Sequence, residues 1–88
     1  MKITFDPVKS ADTVQRRGFG FDVVAGFDWG NALYAVDDRR DYGEVREIAI
    51  GSIGSTVFVV VFTRRDDALH VISVRHASRK ERARYART

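Results

Sequence analysis

The main change of period in the pattern of apolar and polar positions along the 88 residues falls near Ala32. Ahead of that point it is mostly helical. Lys2-Ile3-Thr4-Phe5 alternates and predicts a short edge strand. Asp6-Pro7 then reads as a helix start. The carboxylate can accept from the first free N–H groups, and Pro fits the first helical position, where its missing N–H costs nothing. This helix is expected to end at Arg16 or Arg17, near Gly18. A second helix is expected over residues 22–27, with Phe21, Val24 and Ala25 on one side.

After Ala32 the period is two. Residues 32–36 predict a strand, and Asp37-Asp38-Arg39-Arg40-Asp41 a charged loop. Residues 44–50 predict a strand with Glu44, Arg46, Ile48 and Ile50 on one face. Gly51-Ser52-Ile53-Gly54-Ser55 reads as a turn. TVFVVVF, residues 56–62, is apolar on both faces and fits a central strand covered on both sides. Arg65-Asp66-Asp67-Ala68 turns the chain into a last strand from Leu69 to Arg75 or His76. Ser78 with Glu81 three residues later forms a capping box, so the basic end of the chain is expected to be helical. The order β-α-α-β-β-β-β-α predicts an α+β fold: an antiparallel sheet with helices packed on one face, a short basic C-terminal helix, and the other face partly open.

Eighty-eight residues make one domain, with roughly 60–65% of the unfolded surface buried, so its stability is modest. Without cysteine there is neither a disulfide nor a thiolate metal site, and His70 and His76 cannot close a zinc site without carboxylates. No apolar run approaches ~20 residues, and the first eight do not read as a signal peptide; a soluble, cytoplasmic protein is expected. The net charge of +3 is uneven. Residues 75–88 carry six basic side chains and one acidic one, giving +5, whereas residues 1–74 carry nine and eleven, giving −2. Such a tail suits an anionic partner such as nucleic acid, or a solvated helix face.

A hairpin at residues 51–55 would gather Glu44, Arg46 and Arg64 at one end of the sheet. There they form either a cross-strand ion pair, worth about 0.2–1 kcal/mol, or an anion site. Arg presents a planar fork that matches phosphate, and a carboxylate beside it can take a proton from a ribose hydroxyl, with no metal or other cofactor required. A turn at 65–68 would pair Leu69 with Arg64 and set Arg75 beside Phe58, roughly 20 Å from Arg64 at ~3.3 Å per residue. His76 reads as a strand-end residue rather than a general base, as does His70 near its turn, and Trp29 as packing at the helix–sheet junction. No phosphate-loop, serine-hydrolase or zinc-protease motif is present.

Three stretches, in order, carry a resemblance: F-D-P-x-K (residues 5–9), Y-G-E-x-R (residues 42–46) and I-S-x-R-x-A-x-x-x-E-R-x-x-Y (residues 72–85). Over residues 3–85 the chain resembles the BrnT toxins, ribonuclease components of type II toxin–antitoxin modules. The resemblance implies a RelE-like fold, metal-independent RNA cleavage that arrests translation, and a BrnA-type antitoxin that neutralises the toxin and supplies contact with operator DNA. It implies a catalytic set of Glu44, Arg46, Arg64 and Arg75; Arg16 and Arg17 are expected to meet RNA, and Arg79, Lys80 and Arg82 of the last helix to face RNA or solvent. One departure stands out: where the family usually reads K-H-G, this chain reads Arg16-Arg17-Gly18. A catalytically weak module that binds RNA or the antitoxin is the alternative this suggests.

Overall fold

In the computed structural model, which describes residues 2–88, the Asp6 carboxylate accepts from the Val8 N–H at 2.9 Å and Pro7 takes the first helical position. Helix α1 (Pro7–Arg17) therefore starts where the sequence places it, and it ends at Gly18. The second expected helix is instead a 3₁₀ turn, Phe21–Gly26, followed by another at Trp29–Asn31. The reason is the spacing of its apolar residues. Phe21, Val24 and Phe27 recur every third position, and a helix with three residues per turn stacks all three on one side, where each is at most 6% exposed.

Strands β1 (Lys2–Phe5), β2 (Leu33–Asp37), β3 (Arg46–Ile53), β4 (Thr56–Arg65) and β5 (Ala68–His76) form one sheet in the order β1-β5-β4-β3-β2. β2 to β5 are an antiparallel meander, but β1 pairs parallel to β5, so the sheet is not wholly antiparallel as expected. Four meandering strands bring the chain back beside β1 running in the same direction. The β3–β4 turn is also tighter than expected. Ile53 pairs with Thr56, leaving only Gly54-Ser55 in the turn, and Gly54 supplies the positive φ (62°) that two-residue hairpins need at their first position. Gly51 is not a turn residue. It lies buried within β3 under the Phe27 ring, where a Cβ would come within 2.7 Å of a ring carbon.

Successive strand residues face opposite ways, which splits the core in two. On one face, Ala49, Val60, Phe62, Val71 and Val74 pack under Phe21, Val24 and Phe27. On the other, Ile50, Val59 and Ala77 pack with Tyr85 of helix α2 (Arg79–Ala86). Val59, Val60 and Phe62 of β4 are at most 1% exposed, as the doubly apolar TVFVVVF requires. The C-terminal helix thus lies on the face opposite α1, and Tyr85 docks it there. The capping box is complete: Ser78 Oγ accepts from Glu81 N–H at 3.2 Å and Glu81 Oε1 accepts from Ser78 N–H at 2.8 Å.

A β-bulge fixes what reaches each face of β5. Phe62 pairs with Val71 and Val61 with Ser73, so Ile72 is an extra residue. Leu69 and Val71 before the bulge, and Val74 and His76 after it, point to the α1 side, whereas Ser73 and Arg75 point to the α2 side.

Candidate functional site

The residues expected to gather at one end of the sheet do so on two faces. Glu47 pairs with Phe62, and that register puts Arg46 opposite Thr63, while Glu44, in the bend before β3, reaches Arg65 at 3.4 Å. Arg46, Thr63 and Arg65 lie on the α2 face. Arg64 lies on the α1 face, sharing it with Phe58, Val60 and Phe62 as the alternation predicts. There its Nε donates to Glu47 Oε2 at 2.6 Å and its guanidinium lies 5.6 Å from the centre of the Phe62 ring. Arg75, expected beside Phe58, pairs instead with Val59 because of the extra Ile72, and so joins Arg46 on the α2 face. Arg46 and Arg75 are four residues apart along β4, ~13 Å at ~3.3 Å per residue, and two strand spacings apart across it, so their backbones are roughly 16 Å from one another.

Three carboxylates hold the cations of the α2 face. Arg75 grips Glu81 in a two-pronged contact, Nη1 to Oε1 at 2.7 Å and Nη2 to Oε2 at 2.9 Å. The guanidinium, helped by the Ser78 bonds, holds the Glu81 carboxyl at about 2. Asp37 is gripped in the same way by Arg39, at 2.7 and 2.8 Å, and accepts from Tyr42 Oη at 3.2 Å; the Arg39 bond lowers it to about 2. Glu44 is held more loosely, at 3.4 Å from Arg65 and 3.8 Å from Arg46. Carboxylates as firmly bonded as Asp37 and Glu81 are poor proton acceptors near neutrality. Glu44 has no such clamp.

Arg46 is the least satisfied member. Its guanidinium stacks 3.9 Å from the centre of the Tyr42 ring, and its buried Nε has no hydrogen-bond partner. A buried donor without an acceptor is uncommon, and here it sits on a face lined with Arg39, Arg65 and Arg75. Beside these cations the sheet offers an apolar cleft of about 350 Å³ between Leu33, Ala35, Ile48 and Ile50 and the α2 residues Glu81 and Arg84.

The other candidates are dispersed. Arg16 pairs with Asp12 at 3.0 Å on α1, and Arg17 donates to the Val74 carbonyl on the edge of β5 beyond β1. The residue in the family's histidine position thus braces backbone. Arg79 and Lys80 are exposed on α2, while Arg82 donates to the Ala77 carbonyl at 2.9 Å. His76 lies tilted over Phe58 and edge-on to Phe19, and Trp29 packs edge-on to Phe27 and Phe62, as its junction role requires. Sequence reasoning missed Asp37, Arg39, Tyr42 and Arg65. The first three lie in or beside a charged run that reads as a solvated loop, and Arg65 reads as part of a turn. Among the described residues, no three His, Cys, Asp or Glu side chains converge as a metal site would require.

The sequence matches the family described as "Ribonuclease toxin, BrnT, of type II toxin-antitoxin system" over residues 5–81. The chain belongs to the BrnT family. The matched span contains Glu44, Arg46, Arg64 and Arg75, and it ends within α2 at Glu81. A search of curated proteins gives no match. BrnT membership makes the chain a ribonuclease toxin of a type II module, a system in which the toxin has an antitoxin partner. No helix among the described residues is long and apolar enough to cross a membrane.

Proposed function

We propose that the chain is a metal-independent endoribonuclease that cuts RNA on the α2 face and so arrests translation. The observation that carries this reading is the Arg46 Nε, which makes no hydrogen bond and only a 3.8 Å contact with Glu44, on a face shared with Arg65 and Arg75. A phosphodiester lying there meets several guanidinium forks. These stabilise the charge that builds up as a ribose 2′-oxygen attacks phosphorus and the bond to the 5′-oxygen breaks. Glu44 or a neighbouring group on the same face accepts the 2′ proton. The products are a 2′,3′-cyclic phosphate and a free 5′-hydroxyl. Arg79, Lys80 and Arg82 on α2, and Arg16 and Arg17 at the β5 edge, extend a basic track for the backbone. Arg64, on the opposite face, contributes less than Arg46. A BrnA-type antitoxin neutralises the protein in the cytoplasm, and operator DNA is contacted only through that complex.

Purified protein incubated with RNA in the presence of a chelator tests the reading. Cleavage that is lost in Arg46→Ala supports it; intact RNA at every protein concentration refutes it. A second reading rests on Arg17, whose guanidinium is bonded to a carbonyl and replaces a titratable imidazole: RNA or antitoxin binding with little cleavage. That reading expects salt-sensitive RNA affinity without products.

A further inference from the structure

We propose that His70 is the group that accepts the 2′-hydroxyl proton. This rests on the ribonuclease reading and names the base within the same site. His70 pairs with Thr63 on one side and Thr4 on the other, all on the α2 face. Arg46 stands on the far side of Thr63, so His70 and Arg46 flank a single short residue, their backbones ~10 Å apart across two strand spacings. Thr63 is 3% exposed and its hydroxyl donates to the Val45 carbonyl at 2.8 Å. The floor of this slot is therefore low and its donor is already used. Arg65, one strand-face position along from Thr63, closes one end together with Glu44.

Thr4 orients the ring. Its Oγ1 lies 2.8 Å from His70 Nδ1. As the base, His70 carries its proton on Nδ1, donated to that hydroxyl, and keeps the lone pair on Nε2, which has no protein partner among the described residues. Four charged groups act on the ring through space: Arg65 from β4, Glu44 from the segment before β3, and Asp6 and Lys9 from the start of α1. Burial, then Arg65, outweigh the two carboxylates and keep the imidazole below its ordinary pKa. It is thus neutral near pH 7 and ready to accept a proton. Glu44, placed between Arg46 and Arg65, serves as their counter-charge. In the step itself the 2′-O–H proton passes to Nε2, the 2′-oxygen bonds to phosphorus, the phosphorus–5′-oxygen bond breaks, and the departing oxygen takes a proton from solvent. The imidazolium then returns its proton to solvent.

Single-turnover cleavage of a synthetic RNA oligonucleotide between pH 5 and 9 tests this for the full chain, with His70→Gln, Thr4→Val and Glu44→Gln beside it. His70→Gln is expected to slow cleavage about 10²–10⁴-fold, with RNA Kd within about threefold, and to abolish the fall in rate at acid pH. Thr4→Val keeps that fall and loses about tenfold in rate, because the ring remains but is no longer held. His70→Gln cleaving within about threefold of the parent, or keeping the acid limb, overturns the proposal. If circular dichroism shows His70→Gln unfolded, folded Thr4→Val decides: parental rates overturn the proposal. An inactive parent chain overturns the ribonuclease reading and this one together, whereas an active parent with an unaffected His70→Gln overturns only this one.

Discussion

Replacing Glu81 by Gln removes the carboxylate that joins α2 to β5. Glu81 receives both prongs of Arg75 and the Ser78 N–H, and it is held at about 2 against an ordinary 4.5. Complete linkage of that difference would be about 3 kcal/mol at neutral pH. Arg75 is 40% exposed, however, and solvent screening reduces the expected loss to about 1–2 kcal/mol. For a domain this small, that corresponds to a fall in Tm of roughly 4–16 °C. The pH dependence is the sharper test. A carboxyl whose pKa is lowered by folding stabilises above its unfolded value and loses that contribution as pH falls through the folded one. The gap between parent and Glu81→Gln should be full at pH 7, nearly full at pH 5, and under about half by pH 3. Urea unfolding followed by circular dichroism at pH 7, 5, 4 and 3 measures it. A gap below about 0.3 kcal/mol at pH 7, or one that stays constant down to pH 3, would show that the ion pair does not hold the helix.

Arg46→Ala should lower RNA cleavage about 10²-fold, and Arg64→Ala, on the other face, by about tenfold less; equal losses in a gel assay would contradict the division of the two faces. Gly51→Ala forces a Cβ to 2.7 Å from the Phe27 ring and should cost about 1–3 kcal/mol in urea unfolding, while unchanged stability would mean the ring yields freely. Arg79→Ala or Lys80→Ala should weaken RNA binding at all sequences and reduce the slope of log affinity against log salt by about one; an unchanged slope would remove α2 from the RNA track.

Most of the fold is readable where local chemistry decides it. Asp6-Pro7 and the Ser78–Glu81 box name their helix starts because the capping atoms lie within three residues of the groups they satisfy. TVFVVVF names the central strand because nothing else buries both faces. The errors come from distant causes. The parallel seating of β1 depends on where the meander returns, and no residue of KITF encodes that. Gly51 reads as a turn because the Phe27 ring that excludes a Cβ there is 24 positions away in sequence. The candidate site is half legible. Glu44, Arg46 and Arg75 could be named, but the face each occupies depends on a two-residue turn and an unmarked bulge. Asp37, Arg39 and Tyr42 were hidden because a clamp and a solvated loop share the same composition.

The extra residue at Ile72 acts as a phase shift in the reading of β5. Upstream, odd-numbered residues point to the α1 side; downstream, even-numbered ones do. No exchange of side chains can reproduce this, because it depends on how many residues there are. A chain one residue shorter between Val71 and Ser73 would keep nearly the same composition and the same elements. It would turn Arg75 towards the aromatic core and Val74 towards the basic face, and Glu81 would lose its partner in the same step. Counting residues through this stretch therefore gives a simple criterion for other chains of the family: those that preserve the count can present the arginine, and those that do not must build their basic face some other way.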